Sequence, residues 1–169
     1  VEVEYLLALI EHKSFQKTRT LSKKALSSLK GLYIEFSATH FKQIKKIEEK
    51  TNHDVNAVVI FVSEKLKKIG REDLVPFVHF GLTSEDINNI SYSLMTQGAV
   101  DNVMIPHVKG VLKELKALSK KTKSLSLLSL THGQPATTTT LGKELAVFVS
   151  RVEREIALIK KMKLLAKLS

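Results

Sequence analysis

An all-α fold is predicted for these 169 residues by three observations. Apolar residues recur at threes and fours through nearly the whole chain. The stripes are separated by short polar or glycine-containing interruptions that carry helix-start chemistry. The final stripe outruns a typical globular helix of roughly 8–20 residues, which points to a bundle rather than a compact ball.

Val3, Leu6, Leu7 and Ile10 begin the first amphipathic segment, and Leu21, Ala25, Leu29, Leu32 and Phe36 set a second. Ile44 and Ile47 continue that pattern as far as the polar KTNH at 50–53. Val55, Val58, Val59, Val62, Leu66 and Ile69 form a third stripe, which Gly70 can end. Valine is a poor intrinsic helix former, so the period carries that assignment against propensity.

PFVHFGLT at 76–83 is the main interruption. Thr83 or Ser84 can cap the next helix, and Glu85 and Asp86 suit its positively polarised first turn. That helix carries Ile87, Ile90, Leu94 and Met95. Pro106 either begins another helix or kinks a continuous one, and Val108, Val111, Leu112, Leu115 and Leu118 extend the apolar face. Leu141, Leu145, Val149, Val152, Ile156, Ile159 and Met162 define the last helix. It is expected to run antiparallel to its predecessor, joined by the 120–140 region. The terminal KMKLLAKLS keeps its apolar content to the end. Two long helices bury their apolar faces poorly alone, so either a partner chain covers them or the protein continues beyond residue 169.

With 43% hydrophobic residues the chain can bury one substantial core. Cysteine is absent, which excludes disulfides and thiolate metal sites and fits a reducing compartment. No apolar run approaches the roughly 20 residues needed to span a bilayer, and VEVE lacks the marks of a secretion signal. A cytoplasmic protein with no membrane partner is the expectation.

The net charge of +10 is unevenly distributed. Residues 1–105 carry 14 Lys/Arg against 13 Asp/Glu, whereas residues 106–169 carry 13 against 4. The excess around Lys109–Lys123 and Lys160–Lys167 either attracts phosphate esters or nucleic acid, or solvates the outer faces of helices.

Three of the six histidines fall in the interruptions: TNHD at 51–54, HFGLTSEDINN at 79–89 and THGQ at 131–134. Each admits a local structural reading. Asn52 or Asp54 can cap a helix, Thr83, Ser84 and Asp86 suffice for another cap, and Gly133 with Pro135 can define a turn. All three islands nevertheless lie outside the apolar stripes, where helix ends can converge. Metal spacing such as H-E-x-x-H, a G-x-S-x-G elbow, and G-x-G-x-x-G or P-loop patterns are all missing. The islands suit acid–base work on an anionic ligand, since histidine exchanges a proton near neutrality. Hydroxyls and helix-start N–H groups can hold phosphate or carboxylate oxygens.

KTNHDV at 50–55, HFGLTSEDINN at 79–89 and THGQPAT at 131–137 resemble three successive signatures of the adenylosuccinate lyase family, in the fumarase/aspartase superfamily. LGKE at 141–144 follows at the expected place. The resemblance implies a helical N-terminal domain over 1–105 and, over 106–169, the opening helices of a long central bundle. It implies a homotetramer with shared sites and neither cofactor nor metal. It also implies elimination of fumarate from adenylosuccinate and from the succinylated carboxamide ribotide SAICAR, giving AMP and AICAR.

By that resemblance His132 is the general acid and His53 its catalytic helper, while His79, Thr83, Ser84, Asn52, Asp54, Thr131 and Gln134 contact substrate. The family's base, a serine in an S-S-x-M-P-x-K-x-N loop, has no counterpart in this sequence, nor does its early arginine–tyrosine motif. This chain alone is therefore expected to be inactive. Leu130 stands where the family commonly has arginine, Val59 where glutamate is frequent, and Thr138 where proline is. The alternatives are a noncatalytic helical scaffold and a basic module binding nucleic acid or protein. The latter is disfavoured because aromatic stacking platforms are lacking.

Overall fold

A computed structural model describes residues 1–14 and 20–168. Seven α-helices are present among the described residues: α1 (Glu2–Glu11), α2 (Lys23–Ile34), α3 (Ala38–Thr51), α4 (Asp54–Lys68), α5 (Ser84–Ala99), α6 (Ile105–Lys121) and α7 (Leu141–Lys161). A 3-10 helix, Glu72–Phe77, precedes α5. The chain divides into two compact units, Val1–Tyr92 with the last few residues, and Ser93–Leu165.

The predicted stripes supply the core of the first unit. Val3, Leu6, Leu7 and Ile10 of α1 are all buried, and they cluster with Leu29 of α2 and Phe61, Val62 and Leu66 of α4. Leu74 of the 3-10 helix and Val78 close the cluster. Val59 packs against it as a partly buried side chain, so an apolar residue is accommodated at that position. Leu21 and Phe36, placed on the second stripe, lie outside α2, which starts with a Ser22 cap accepting from the Ala25 N–H at 3.2 Å.

The polar junctions set the helix boundaries. The cap on α4 is neither Asn52 nor Asp54 but His53, whose extended backbone lets ring Nδ1 accept from the Asn56 N–H at 3.3 Å. Imidazole nitrogen here does what a Ser or Asp oxygen ordinarily does. Pro106 does not restart the helix. Residues 100–104 form a π-turn in which the Ile105 N–H bonds the Val100 carbonyl, carrying α5 into α6. The wider turn absorbs the missing proline N–H without a break.

In the second unit α6 and α7 lie antiparallel, as the sequence predicts: Ser119 meets Gly142, while Lys116 pairs with Glu153 at 2.5 Å. The 120–140 connection is not featureless. It forms a hairpin of β1 (Ser126–Thr131) and β2 (Gln134–Thr140), with a bulge-like register shift between Leu128 and Leu130. The alternation Ser124-Leu125-Ser126-Leu127 and the β-branched run Thr137–Thr140 carry that signal. Only Ile105, Leu112 and Val149 are buried among the apolar residues of α6 and α7, while Val111, Leu118, Phe148 and Leu158 stay exposed.

Gly142 fixes where α7 leaves the hairpin. A Cβ there would sit 2.4 Å from the Ser119 carbonyl oxygen and 2.5 Å from the Lys123 Cα, both backbone atoms with nowhere to go. Around it the Leu141 N–H bonds Leu125 O at 2.9 Å and the Gly142 N–H bonds Thr122 O at 3.1 Å. Gly142→Ala is expected to lower stability by about 1–3 kcal/mol in urea unfolding. Gly110→Ala, at a mid-α6 site with open space for a Cβ, should instead raise it by about 0.5–1 kcal/mol. Equal effects from the two changes would contradict the close-approach role.

Candidate functional site

The first island is a hinge between two helices. α3 ends at Thr51, and Asn52 takes a left-handed conformation (φ 50°) with its N–H on the Glu48 carbonyl at 2.8 Å. His53 follows as the α4 cap. Because the Asn56 N–H can only donate, His53 Nδ1 must accept, and the neutral ring carries its hydrogen on Nε2. That Nε2–H points to Ser84 Oγ at 3.2 Å. Asp54 Oδ1 lies 3.4 Å from Nδ1, but it already accepts from the Val55 N–H at 2.7 Å. Asn52 and Asp54 thus each have a local role in the turn.

The second island begins where the 3-10 helix stops. His79 (φ 64°) and Gly81 (φ 71°) both adopt left-handed backbone, and a turn bond joins the Leu82 N–H to His79 O at 3.3 Å. The ring of His79 reaches α1, where Nδ1 lies 2.6 Å from Glu2 Oε1. Thr83 directly precedes α5, and Asp86, only 2% exposed, accepts from the Thr83 N–H at 2.7 Å and its hydroxyl at 3.0 Å. This is the acidic half of a capping box. Ser84, the first residue of α5, therefore sits at a helix N-terminus with its oxygen already accepting from His53, which frees its own hydrogen for an anion.

The third island lies in the second unit, at the tip of the hairpin. Thr131 pairs with Gln134, leaving His132 (φ 49°) and Gly133 (φ 76°) as a two-residue loop. Positive φ at both central positions is the type I′ turn, whose backbone twist matches paired strands. His132, Thr131 and Gln134 are all exposed, as is Leu130 at 66%. The base of the hairpin is tied to α7 by Thr139, whose hydroxyl donates to Glu144 at 2.8 Å. That bond, with lesser help from Lys143, holds the Glu144 carboxyl below the usual carboxylate range. The tie is therefore present above the ordinary carboxylate pKa and lost as pH falls through the depressed value. Thr140 caps α7 through the Lys143 N–H.

The structure thus brings His53 to Ser84, and sets His79 and Thr83 a few residues before it in the same unit. His132, Thr131 and Gln134 form a separate group on the hairpin. Two contributors escaped the sequence reading. Glu2 is 3% exposed although charged, and its signal was position: it lies four residues before Leu6 on the buried face of α1. Tyr5, three residues on, donates to the Phe80 carbonyl at 2.7 Å. Among the described residues, no group of three His, Asp or Glu side chains could hold a metal, and no helix is long and apolar enough to cross a membrane. Lys109, Lys113, Lys116, Lys120 and Lys160, with Glu153, line a groove of about 740 Å³ between α6 and α7.

Comparison with known proteins finds the lyase family matching residues 6–168. Among curated relatives, the adenylosuccinate lyase of Dictyostelium discoideum is 39% identical over 160 residues, covering 92% of this chain and 34% of the relative. That of Escherichia coli (strain K12) is 38% identical, covering 100% of this chain and 37% of the relative. The chain thus spans about one third of the length of these relatives. Among solved structures, a fumarate lyase from Mesorhizobium sp. BNC1 superposes with a TM-score of 0.70 at 19% identity, over 95% of this chain and 35% of that one. At that identity the likeness speaks for the fold.

His132 holds its left-handed position against a Cβ penalty that Asn bears more easily. His132→Asn should therefore leave the hairpin as stable or up to about 1 kcal/mol more stable by thermal unfolding. A clear loss of stability would mean that the imidazole holds the turn together rather than being displayed by it.

Proposed function

This chain belongs to the lyase family of the fumarase/aspartase superfamily, and on that premise we propose that it contributes to the elimination of fumarate from adenylosuccinate and SAICAR, yielding AMP and AICAR. One observation carries the reading beyond family membership. Among the described residues, the non-glycine positions with left-handed backbone are Asn52, His79 and His132, one in each polar island. Strained backbone of this kind persists where surrounding contacts over-determine it, and it concentrates at functional sites.

In the reaction a base removes the proton beside a carboxylate of the succinyl group. The electron pair forms an aci-carboxylate, and collapse of that species breaks the C–N bond. Fumarate leaves, and the purine or carboxamide nitrogen takes a proton. His132 is the acid that supplies that proton from its exposed turn. Ser84, at the N-terminus of α5 with its hydroxyl hydrogen free, holds a substrate carboxylate, and Thr83, whose N–H and hydroxyl donate to Asp86, lines the site beside it. Preset donors of this sort stabilise charge where it develops. His53 sets the direction of the Ser84 hydroxyl through Nε2–H. His79, Asn52, Asp54, Thr131 and Gln134 complete the substrate contacts, and the base is a serine outside these 169 residues. The exposed apolar side chains of α6 and α7 support assembly into a homotetramer with shared sites.

A chimera tests the proposal: this chain in place of the matching 37% of the Escherichia coli enzyme, assayed for fumarate release from adenylosuccinate. The chimera should turn over substrate, and His132→Ala should lower kcat by about 100- to 10,000-fold, the range of a general acid. A folded chimera whose turnover is indifferent to both His132→Ala and His53→Ala would refute the assignment.

A further inference from the structure

We infer that Glu2, assisted by Tyr5, is the positioning residue of His79, fixing its ring so that Nε2 is the atom offered to an anionic group of the ligand. The ligand-facing half of this inference rests on the proposed substrate-binding role of His79, whereas the pairing itself does not.

Glu2 is 3% exposed, and one of its oxygens, Oε1, lies 2.6 Å from His79 Nδ1. The other, Oε2, is buried without a hydrogen-bond partner. A carboxylate half satisfied in this way is a poor choice for stability, since an apolar side chain of similar volume would fill the site at no desolvation cost. Its contact with His79 gives it a purpose. Tyr5 lies one turn along the same face of α1 and donates to the Phe80 carbonyl at 2.7 Å. Two side chains of one helix therefore grip the left-handed His79–Gly81 turn, one at the ring and one at the next carbonyl.

A carboxylate can only accept, so Nδ1 must carry the hydrogen. The neutral ring then has its lone pair at Nε2, and the protonated ring donates there. Among the described residues Nε2 has no hydrogen bond, and the side chain keeps 23% of its surface exposed. His53 is set the other way, with Nδ1 accepting from Asn56 and the hydrogen on Nε2. His53 and His79 are thus held in opposite tautomers by their partners, as outer hydrogen bonds commonly dictate for imidazole.

Long-range proton–nitrogen spectra of the histidine-labelled chain read both tautomers in one sample. The expected result is a protonated Nδ1 for neutral His79 and a protonated Nε2 for His53. Neutral His79 with its hydrogen on Nε2 overturns the inference in the unmutated protein, with no variant needed. Glu2→Leu, which removes the acceptor, should abolish the Nδ1–H preference at His79 and leave His53 unchanged, while Glu2→Gln, whose amide oxygen still accepts, should keep it at least in part. An unchanged His79 tautomer in a folded Glu2→Leu chain also overturns the pairing. Titration with inorganic phosphate should then move the His79 Nε2 resonance, and Glu2→Leu should lose that shift. A preserved tautomer with no response to phosphate would retain the pairing but overturn the ligand-facing assignment, and would count separately against the substrate-binding role.

Discussion

Left-handed backbone at residues that carry a Cβ is the constraint around which the rest is arranged. Each such position costs roughly 1–2 kcal/mol relative to ordinary backbone, with Asn the mildest case. The chain meets that cost at Asn52, His79 and His132. Local bonds offset it differently in each place. Asn52 closes α3 onto Glu48 while His53 opens α4. His79 is gripped from α1. His132 shares a type I′ turn with Gly133 between paired strands. In all three the chain reverses within a few residues, so a histidine is displayed at the end of a helix or hairpin rather than sunk into a core.

Display of that kind needs firm supports. In the first unit the α1–α4 cluster, with Leu6, Leu66 and Leu74 fully buried, fixes α1 and α4 against each other. The Glu2 grip and the His53 cap sit at the polar ends of those helices. The buried Asp86 carboxylate closes the turn ahead of Ser84, which keeps the first turn of α5 available to a ligand. In the second unit the support is steric. The absence of a side chain at Gly142 lets α7 start directly against α6, and the LGKE stretch then ties the hairpin base through Glu144 and Thr139. The four residues of that motif are accounted for by packing and capping rather than by chemistry.

Much of this was legible from residue patterns because helical periodicity is a long-range, redundant signal: α1, α4 and α7 are each marked by four or more apolar residues on one face. The hairpin escaped because its strands are short and exposed, and because Gly133 and Pro135 read equally well as a bare turn. The α4 cap was misassigned because Asn and Asp are far commoner caps than His, and both flank His53. Glu2 was invisible as a site residue because an acid in a first helical turn is ordinarily explained by the helix dipole. Its burial and its partner 77 residues away exist only in the fold.

The most direct measurement is a crystal structure with adenylosuccinate, the proposed substrate, bound. Carboxylate or phosphate oxygens are expected within hydrogen-bond reach, about 3 Å, of Ser84 Oγ and His79 Nε2, with the bridging nitrogen of the ligand facing an imidazole from a THGQ turn. Ligand bound away from all three islands, with their histidines facing only solvent, would contradict the proposed function.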